Sequence, residues 1–398
     1  VPDKQIITEI RVAPVETAFG RQVGRNSKGD IYGYNQREWL TQVKTASGLI
    51  GITNARPFMN RSSILALSTT LQQLIGRDIF EMHTMSGDRV TGVNPRWEQY
   101  LVDNGFVSYA LFDLMGQALG IPAYKLLGDK VRDSVEPYDS TLYFQDLIHP
   151  TDGAATVASE AKQAVEKGWT AVKLKLGRPG KWFEPEAGLR RDIEVVLATR
   201  DAVGPGVKIL VDANNGYDGR LDLLETFIRE VGPAKTFWME EMITEELAGY
   251  RKFRDWRDRY SPETMIVDGE SHRGRQTIYW QMMEEGLLDG IQPDMVHMGF
   301  WPYQKLVMDI EDAGYPTKIC PHNYNAARIG LAGVVHFGAV TERFTVAEDS
   351  TLDFDVYDYS GYEFSNGRIK VPDTPGLSLT VDQDKYAQRH GTLETVIS

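Results

Sequence analysis

Four short stretches decide the reading: TAVKLKL (170–176), VKILVDA (207–213), KTFWMEE (235–241) and MIVDGES (265–271). Each is a β-branched or apolar run that ends in charged residues. Amphipathic stretches such as GRLDLLETFIREVG (219–232) fit between them. Strand then helix, repeated, is the pattern of parallel strands joined by crossover helices. Working outward adds VEPYDS (135–140) with the helical GAATVASEAKQAVEKG behind it, then GIQPDMV (290–296), TKICPH (317–322) and FTVAEDS (344–350). That makes eight runs. Polar residues ending six successive runs fall at 212, 240, 270, 294, 322 and 348, spaced 24 to 30 apart. This is the size of one unit in an eight-stranded α/β barrel of about 250 residues. An open doubly wound sheet would carry a glycine-rich phosphate loop, and neither G-x-G-x-x-G nor G-x-x-x-x-G-K-[ST] is present.

The barrel is expected over residues 131–355. Residues 1–130 read as an α+β capping domain. In it, WLTQVKTAS and LIGITNA flank a Ser-Gly turn at 47–48 as a hairpin, and 61–75 is helical in composition. Over 99–119, Val107, Leu111, Leu114 and Ala118 recur at helical spacing, and Gly120 with Pro122 ends the helix. Residues 13–36, glycine-rich with few large apolar side chains, read as a mobile lid loop. The Pro/Gly-punctuated tail, 356–398, is expected to return to the cap.

Composition narrows the function. Lys+Arg number 43 against 56 Asp+Glu, a formal charge of −13. Such a chain is a poor candidate for gripping nucleic acid or an anionic membrane across a broad face. A small anionic substrate remains compatible with it. One cysteine, Cys320, excludes an intrachain disulfide and a Cys-based zinc site. No run of 18 apolar residues exists, and VPDKQIITEI lacks the marks of an export signal, so a cytoplasmic enzyme is expected.

In a strand–helix barrel, polar residues at the carboxyl ends of the strands converge on one mouth. Asp212, Glu240 or Glu241, and Glu270 therefore meet there. Three unneutralised carboxylates repel one another, and a hard divalent cation, magnesium or manganese, resolves this with oxygen ligands alone. Lys173 and Lys175 are two apart on a strand and share a face, with Val172, Leu174 and Leu176 opposite. A lysine held beside another cation has a lowered pKa and can act as a base. Asp294 and His322 end neighbouring strands, where the carboxylate can orient the ring. Glu348 ends the eighth run.

The order Lys-x-Lys, Asp-x-Asn, Glu-Glu, Gly-Glu, Pro-Asp, His, Glu resembles the mandelate racemase subgroup of the enolase superfamily. ALFDLMGQALGIPAYKLLG and VPDTPGLSL resemble that group's capping-domain helix and C-terminal return segment, so the likeness spans nearly the whole chain. It implies a modified (β/α)7β barrel under a cap. It implies magnesium on Asp212, Glu240 and Glu270, the first glutamate of the pair being the ligand, with Asn214 supporting the site. Lys175 would be one acid/base and the His322–Asp294 dyad the other, on the opposite substrate face. Lys173 would neutralise the substrate carboxylate, and Glu348 would hydrogen-bond the oxygen that becomes negative. Loops 13–36 and 54–62 would cover the mouth, with Arg21, Arg25, Arg56 and Arg61 available to substrate. The segment after Asp294 departs from the group: His297 and Phe300 stand in MVHMGFW where a lysine and later Gly-Gly are common. The resemblance places neither the loop at 13–36 nor the insert around 178–190.

The implied chemistry is removal of the proton next to a carboxylate. Dehydration of a sugar acid to a 2-keto-3-deoxy acid leads, because the lid carries Arg21, Arg25, Asn26 and Tyr32. A racemase or epimerase uses the same residues, and Phe19, Tyr32 and Tyr34 would suit an apolar substrate. A non-catalytic metal-binding barrel would not need the acid/base set. Cycloisomerases of the superfamily usually carry a lysine where Asp294 stands. A small-molecule carboxylate partner and a homo-oligomer are expected.

Overall fold

The computed structural model describes residues 3–55, 61–270, 277–323 and 326–398, without the side chains of 61–63. Eight parallel strands form the barrel: Pro137–Leu142, Ala171–Lys175, Lys208–Asp212, Trp238–Glu240, Met265–Asp268, Gly290–Ile291, Lys318–Ile319 and Ala347–Asp349. Strand eight pairs with strand one, Glu348 opposite Tyr138. A parallel bridge from Ile319 to Phe344 joins strands seven and eight, so the sheet closes. Crossover helices such as Pro185–Val203 and Leu221–Val231 follow the first seven strands, and strand eight runs directly into the tail. This is the (β/α)7β barrel.

Strand parity builds it from both sides. Val172, Leu174, Ile209 and Val211 face the helices and join the main core. Burying each is worth roughly 1.5–3 kcal/mol. The other parity fills the interior: Tyr138, Ala171, Leu210, Trp238, Val267, Cys320 and Val346 pack as a separate cluster. Ala171, Leu210, Trp238, Cys320 and Val346 each lie two residues before a candidate site residue. The charged layer at the mouth therefore rests on an apolar plug.

The cap is a four-stranded antiparallel sheet ordered Thr395–Ile397, Ile7–Val23, Gly33–Thr45, Ile50–Asn54, with helices Arg61–Gln72, Glu98–Asp103 and Val107–Leu119. The turn at 47–48 joins the two expected strands. Two expectations need correction. The stretch 13–36 is not a loop: it is most of a long hairpin whose strands pair from Ile7–Thr45 out to Val23–Gly33, leaving only 24–32 as the turn. Ala13, Val15, Thr17 and Phe19 are buried and Pro14, Glu16 and Ala18 between them are more exposed, a period of two that the glycines obscure. The helix over 99–119 is two helices, broken at 104–106. A side chain at Gly105 would collide with the His297 carbonyl, so the break lets the cap approach the barrel closely. Gly120 ends the second helix in the left-handed region, φ 68°.

Candidate active site at the barrel mouth

Asp212, Glu240 and Glu270 offer carboxylate oxygens that lie within 4.8 Å of one another. Asp212 and Glu240 are fully buried. Lys173 Nζ lies 2.9 Å from Glu240 Oε1, 3.4 Å from Asp212 Oδ2 and 3.7 Å from Glu348 Oε1. Lys175 pairs with Asp212. Burial alone would depress both lysines. The facing carboxylates overturn it, chiefly Glu240 for Lys173 and Asp212 for Lys175, and hold both above the usual lysine range. The expected lowering of a lysine by its lysine neighbour is therefore outweighed here, because each ammonium faces anions.

Strand parity leaves Glu240 and Glu241 undistinguished, and the backbone separates them. Glu241 leaves the strand with φ 43°, in the left-handed region. Its carboxylate turns to a second acidic group with Glu245 and Asp268, and accepts from Asn214 Nδ2 at 2.9 Å. Burial, with Glu270 and Asp212 nearby, pushes Glu241 up to about 7. Asn214, also left-handed at φ 44°, donates its N–H to Asp212 Oδ1 at 2.9 Å and keeps Oδ1 buried without a partner.

On the other side of the mouth, His322 Nδ1 lies 3.2 Å from Asp294 Oδ2. Asp294 Oδ1 accepts the His297 N–H at 2.9 Å, capping the short helix Met295–Met298. This gives the departure at 295–301 a physical account. The cap fixes Asp294, while Phe300 stacks on Phe112 of the capping domain at 4.6 Å. His322 Nε2 faces Glu270 Oε1 at 3.3 Å and Glu348 Oε2 at 3.5 Å. Burial opposes the imidazolium, but Glu270, Glu348 and Asp294 raise the ring to about 10. Glu348 accepts the Asn323 N–H at 2.8 Å. Burial would raise it, yet Lys173, His322 and that N–H hold it down at about 2. In this state Glu348 accepts, and the expected donor role needs a proton that its neighbours keep off.

The hairpin turn at 24–32 sits over the mouth. Ser27 donates to the Asn214 carbonyl at 3.0 Å, and Lys28 Nζ lies 3.7 Å from Glu241 Oε2. Trp182 and Lys181, from the insert after strand two, donate to the carbonyls of Asn26 at 2.6 Å and Lys28 at 3.2 Å. Phe19, Val23, Tyr32, Tyr143, Ala327 and Leu352 form an apolar patch at this junction, and Lys175 Nζ lies 5.5 Å from the centre of the Tyr143 ring. The two lid arginines face protein. Arg21 pairs with Asp139 and donates to Thr141 Oγ1 at 2.8 Å, tying the hairpin to strand one. Arg25 pairs with Asp30 at 2.8 Å over the Trp182 ring. Arg56 and the Arg61 side chain lie outside the described residues. Lys28, Trp182 and Asn323 escaped the sequence reading because loop positions carry no period. Trp238 did carry one, lying two before Glu240 on the same face.

The donor set fits a hard divalent cation. It is all oxygen, and Glu270 Oε1 is buried with no hydrogen bond among the described residues despite the nearby His322. Barrel, cap and acidic mouth together define a known class of barrel enzyme. A family model described as enolase C-terminal domain-like matches residues 156–385. The chain belongs to that family, within the mandelate racemase group of the enolase superfamily. D-galactarolactone cycloisomerase of Agrobacterium fabrum is 26% identical over 294 residues, 71% of this chain and 72% of that one. D-gluconate dehydratase of Thermoproteus tenax is 26% identical over 373 residues, 87% of this chain and 69% of the other. Galacturonate dehydratase from a Geobacillus species, solved with D-galacturonate and 5-keto-4-deoxy-D-galacturonate, superposes over the full length of both chains with TM-score 0.84 at 25% identity. A mutant of that enzyme was solved with magnesium. No helix among the described residues is long and apolar enough to cross a membrane.

Proposed function

We propose that the chain dehydrates a sugar acid to a 2-keto-3-deoxy acid, using magnesium held by Asp212, Glu240 and Glu270. One observation carries this. Two acid/base candidates flank one cluster of three carboxylates: Lys175 on strand two pairs with Asp212, and the Asp294-oriented His322 at the end of strand seven faces Glu270 at 3.3 Å. Sugar-acid dehydratases among the relatives support the same reading. When bound, the cation supplies Lewis-acid stabilisation of the charge that develops on the substrate carboxylate and draws the three ligands' charge away from the lysines. Lys173, buried at the floor, adds a fixed positive charge beside that carboxylate. Lys175 or His322, according to the configuration at C2, takes the α-proton. His322 gives a proton to the departing 3-hydroxyl, which leaves as water, and the resulting enol tautomerises to the ketone. Asp294 fixes the ring tautomer so that Nε2 faces substrate. Manganese would satisfy the same oxygen ligands.

Paired bases facing each other also serve racemisation or epimerisation, in which one removes the α-proton and the other returns one on the opposite face. A library of mono- and diacid sugars, incubated with enzyme and magnesium in deuterated water, separates the two. A 2-keto-3-deoxy product trapped by semicarbazide is expected. Deuterium at an inverted α-carbon, with no keto acid from any member, would overturn dehydration.

A further inference from the structure

We infer that Trp238 is a positioning residue for the metal site, its indole N–H holding the Glu240 carboxylate toward Asp212 and Glu270. The inference rests on the proposed magnesium site. Trp238 and Glu240 are two apart on strand four and point into the barrel, the indole one layer below the carboxylate. Trp238 Nε1 donates to Glu240 Oε2 at 2.9 Å, with both side chains essentially unexposed. Among the described residues the other donor to Glu240 is Lys173, at Oε1, and its ammonium is shared with Asp212 and Glu348. A shared point charge on a flexible stem sets no orientation. The indole does. It can only donate, so Oε2 must face it, and the second lone pair of each oxygen stays available to a cation.

The ring cannot swing away. Tyr138 meets it edge-on at 5.4 Å and 84°, and Phe237 packs at 5.8 Å. Lys173 Nζ lies 5.4 Å from the Tyr138 ring centre, so floor and charge layer are locked together. Leu210 and Val346, at the equivalent depth below Asp212 and Glu348, have no polar atom to offer. Trp238 thus does more than fill the plug. Groups that hydrogen-bond a metal ligand from outside set its direction, and losing one typically weakens metal binding about 10- to 100-fold.

The test is Trp238→Phe, which keeps an aromatic ring and removes the N–H. The dissociation constant for magnesium is read from the melting midpoint at graded magnesium, and the midpoint in EDTA reports packing alone. The expected result is a magnesium constant raised about 10- to 100-fold, beyond any change in the metal-free midpoint. A filler role would lower the metal-free midpoint and leave the magnesium constant at the wild-type value, overturning the inference. Wild-type protein that shows no magnesium response would instead overturn the metal site itself. Should Trp238→Phe not fold, the wild-type chain labelled with 15N-indole tryptophan decides. One of its eight indole signals is expected both to resist solvent exchange and to move on magnesium addition. No signal with both properties would overturn the inference.

Discussion

Asp212→Asn and Glu270→Gln are expected to abolish stabilisation by magnesium alike, while moving the metal-free protein differently. A ligand at 100 times its dissociation constant adds about 2.7 kcal/mol to the folded state. Unfolding 398 residues at about 2.1 cal/mol/K each gives an entropy near 0.8 kcal/mol/K, so the wild-type midpoint rises by about 3 °C. Metal-free Asp212→Asn leaves Lys175 without its ion pair and takes from Lys173 a partner at 3.4 Å. A buried cation stripped of its partner costs about 3–5 kcal/mol, or roughly 4–6 °C on the same scale. Glu270 differs. Its Oε1 carries no hydrogen bond among the described residues, its side chain is 20% exposed, and it repels Glu240 and Glu241 while attracting His322. These offset, and metal-free Glu270→Gln is expected within about 1–2 °C of wild type. Differential scanning fluorimetry in EDTA and in graded magnesium measures all four quantities. A 3 °C response kept by either variant, or a metal-free Asp212→Asn that melts with the wild type, would refute this assignment of the charges.

Three further outcomes are expected. His322→Asn should lose keto-acid formation by about 10²–10⁴-fold while the chain still folds and magnesium still raises its midpoint, and Asp294→Asn should lose a large part of the same rate, both read by semicarbazide trapping. Burial depresses both His83 and His336 from 6.5 to about 4. Below pH 6.5 the unfolded chain takes up protons that the folded chain refuses, so this stability is complete above pH 6.5 and lost as pH falls through 4, by up to about 3 kcal/mol per histidine. Urea midpoints should decline over that window, and less steeply in His336→Gln. Trp182→Phe, which loses the 2.6 Å bond to the Asn26 carbonyl, should speed tryptic cleavage at Arg25 or Lys28 without changing the magnesium response; an unchanged cleavage rate would mean that the indole does not hold the turn.

The barrel was legible because its signal repeats. Six strand ends at intervals near 27 residues, each reached through a run such as VKILVDA, fix both the fold and the mouth. Parity then placed Lys173 and Lys175 on one face and their apolar neighbours on the other. It stopped at Glu240 and Glu241, because a φ of 43° at Glu241 ends the alternation there, and that choice is made by the backbone after folding. The hairpin of the cap failed for the opposite reason. Its alternation of Ala13, Val15, Thr17 and Phe19 is real, but glycines between 20 and 33 mimic a loop when they are read by composition. The helix break at Gly105 was hidden because its cause lies in the His297 carbonyl, nearly two hundred residues away.

Substrate recognition is least legible, and the structure gives a physical reason. In a chain with 13 more acidic than basic residues, cations near the lid find carboxylates of the protein itself. Arg21 is spent on Asp139, Arg25 on Asp30, and Lys28 reaches toward Glu241. Counting arginines in the lid therefore says little about which substrate end is charged. Five strand-borne residues are different, because each of them rests on a plug residue two positions earlier and its direction is set before any ligand arrives. Ala171 carries Lys173, Leu210 carries Asp212, Trp238 carries Glu240, Cys320 carries His322 and Val346 carries Glu348. The reacting end of the site is thus a product of the barrel's own packing, which sequence period encodes. The turn over the mouth, which the proposed function would make the far end of the site, is held through Ser27, Trp182 and Lys181, contacts made by single hydrogen bonds between segments distant in sequence. Loop contacts of that kind can change without disturbing the barrel, so a shared proton-abstraction chemistry can be kept while the substrate it serves is altered.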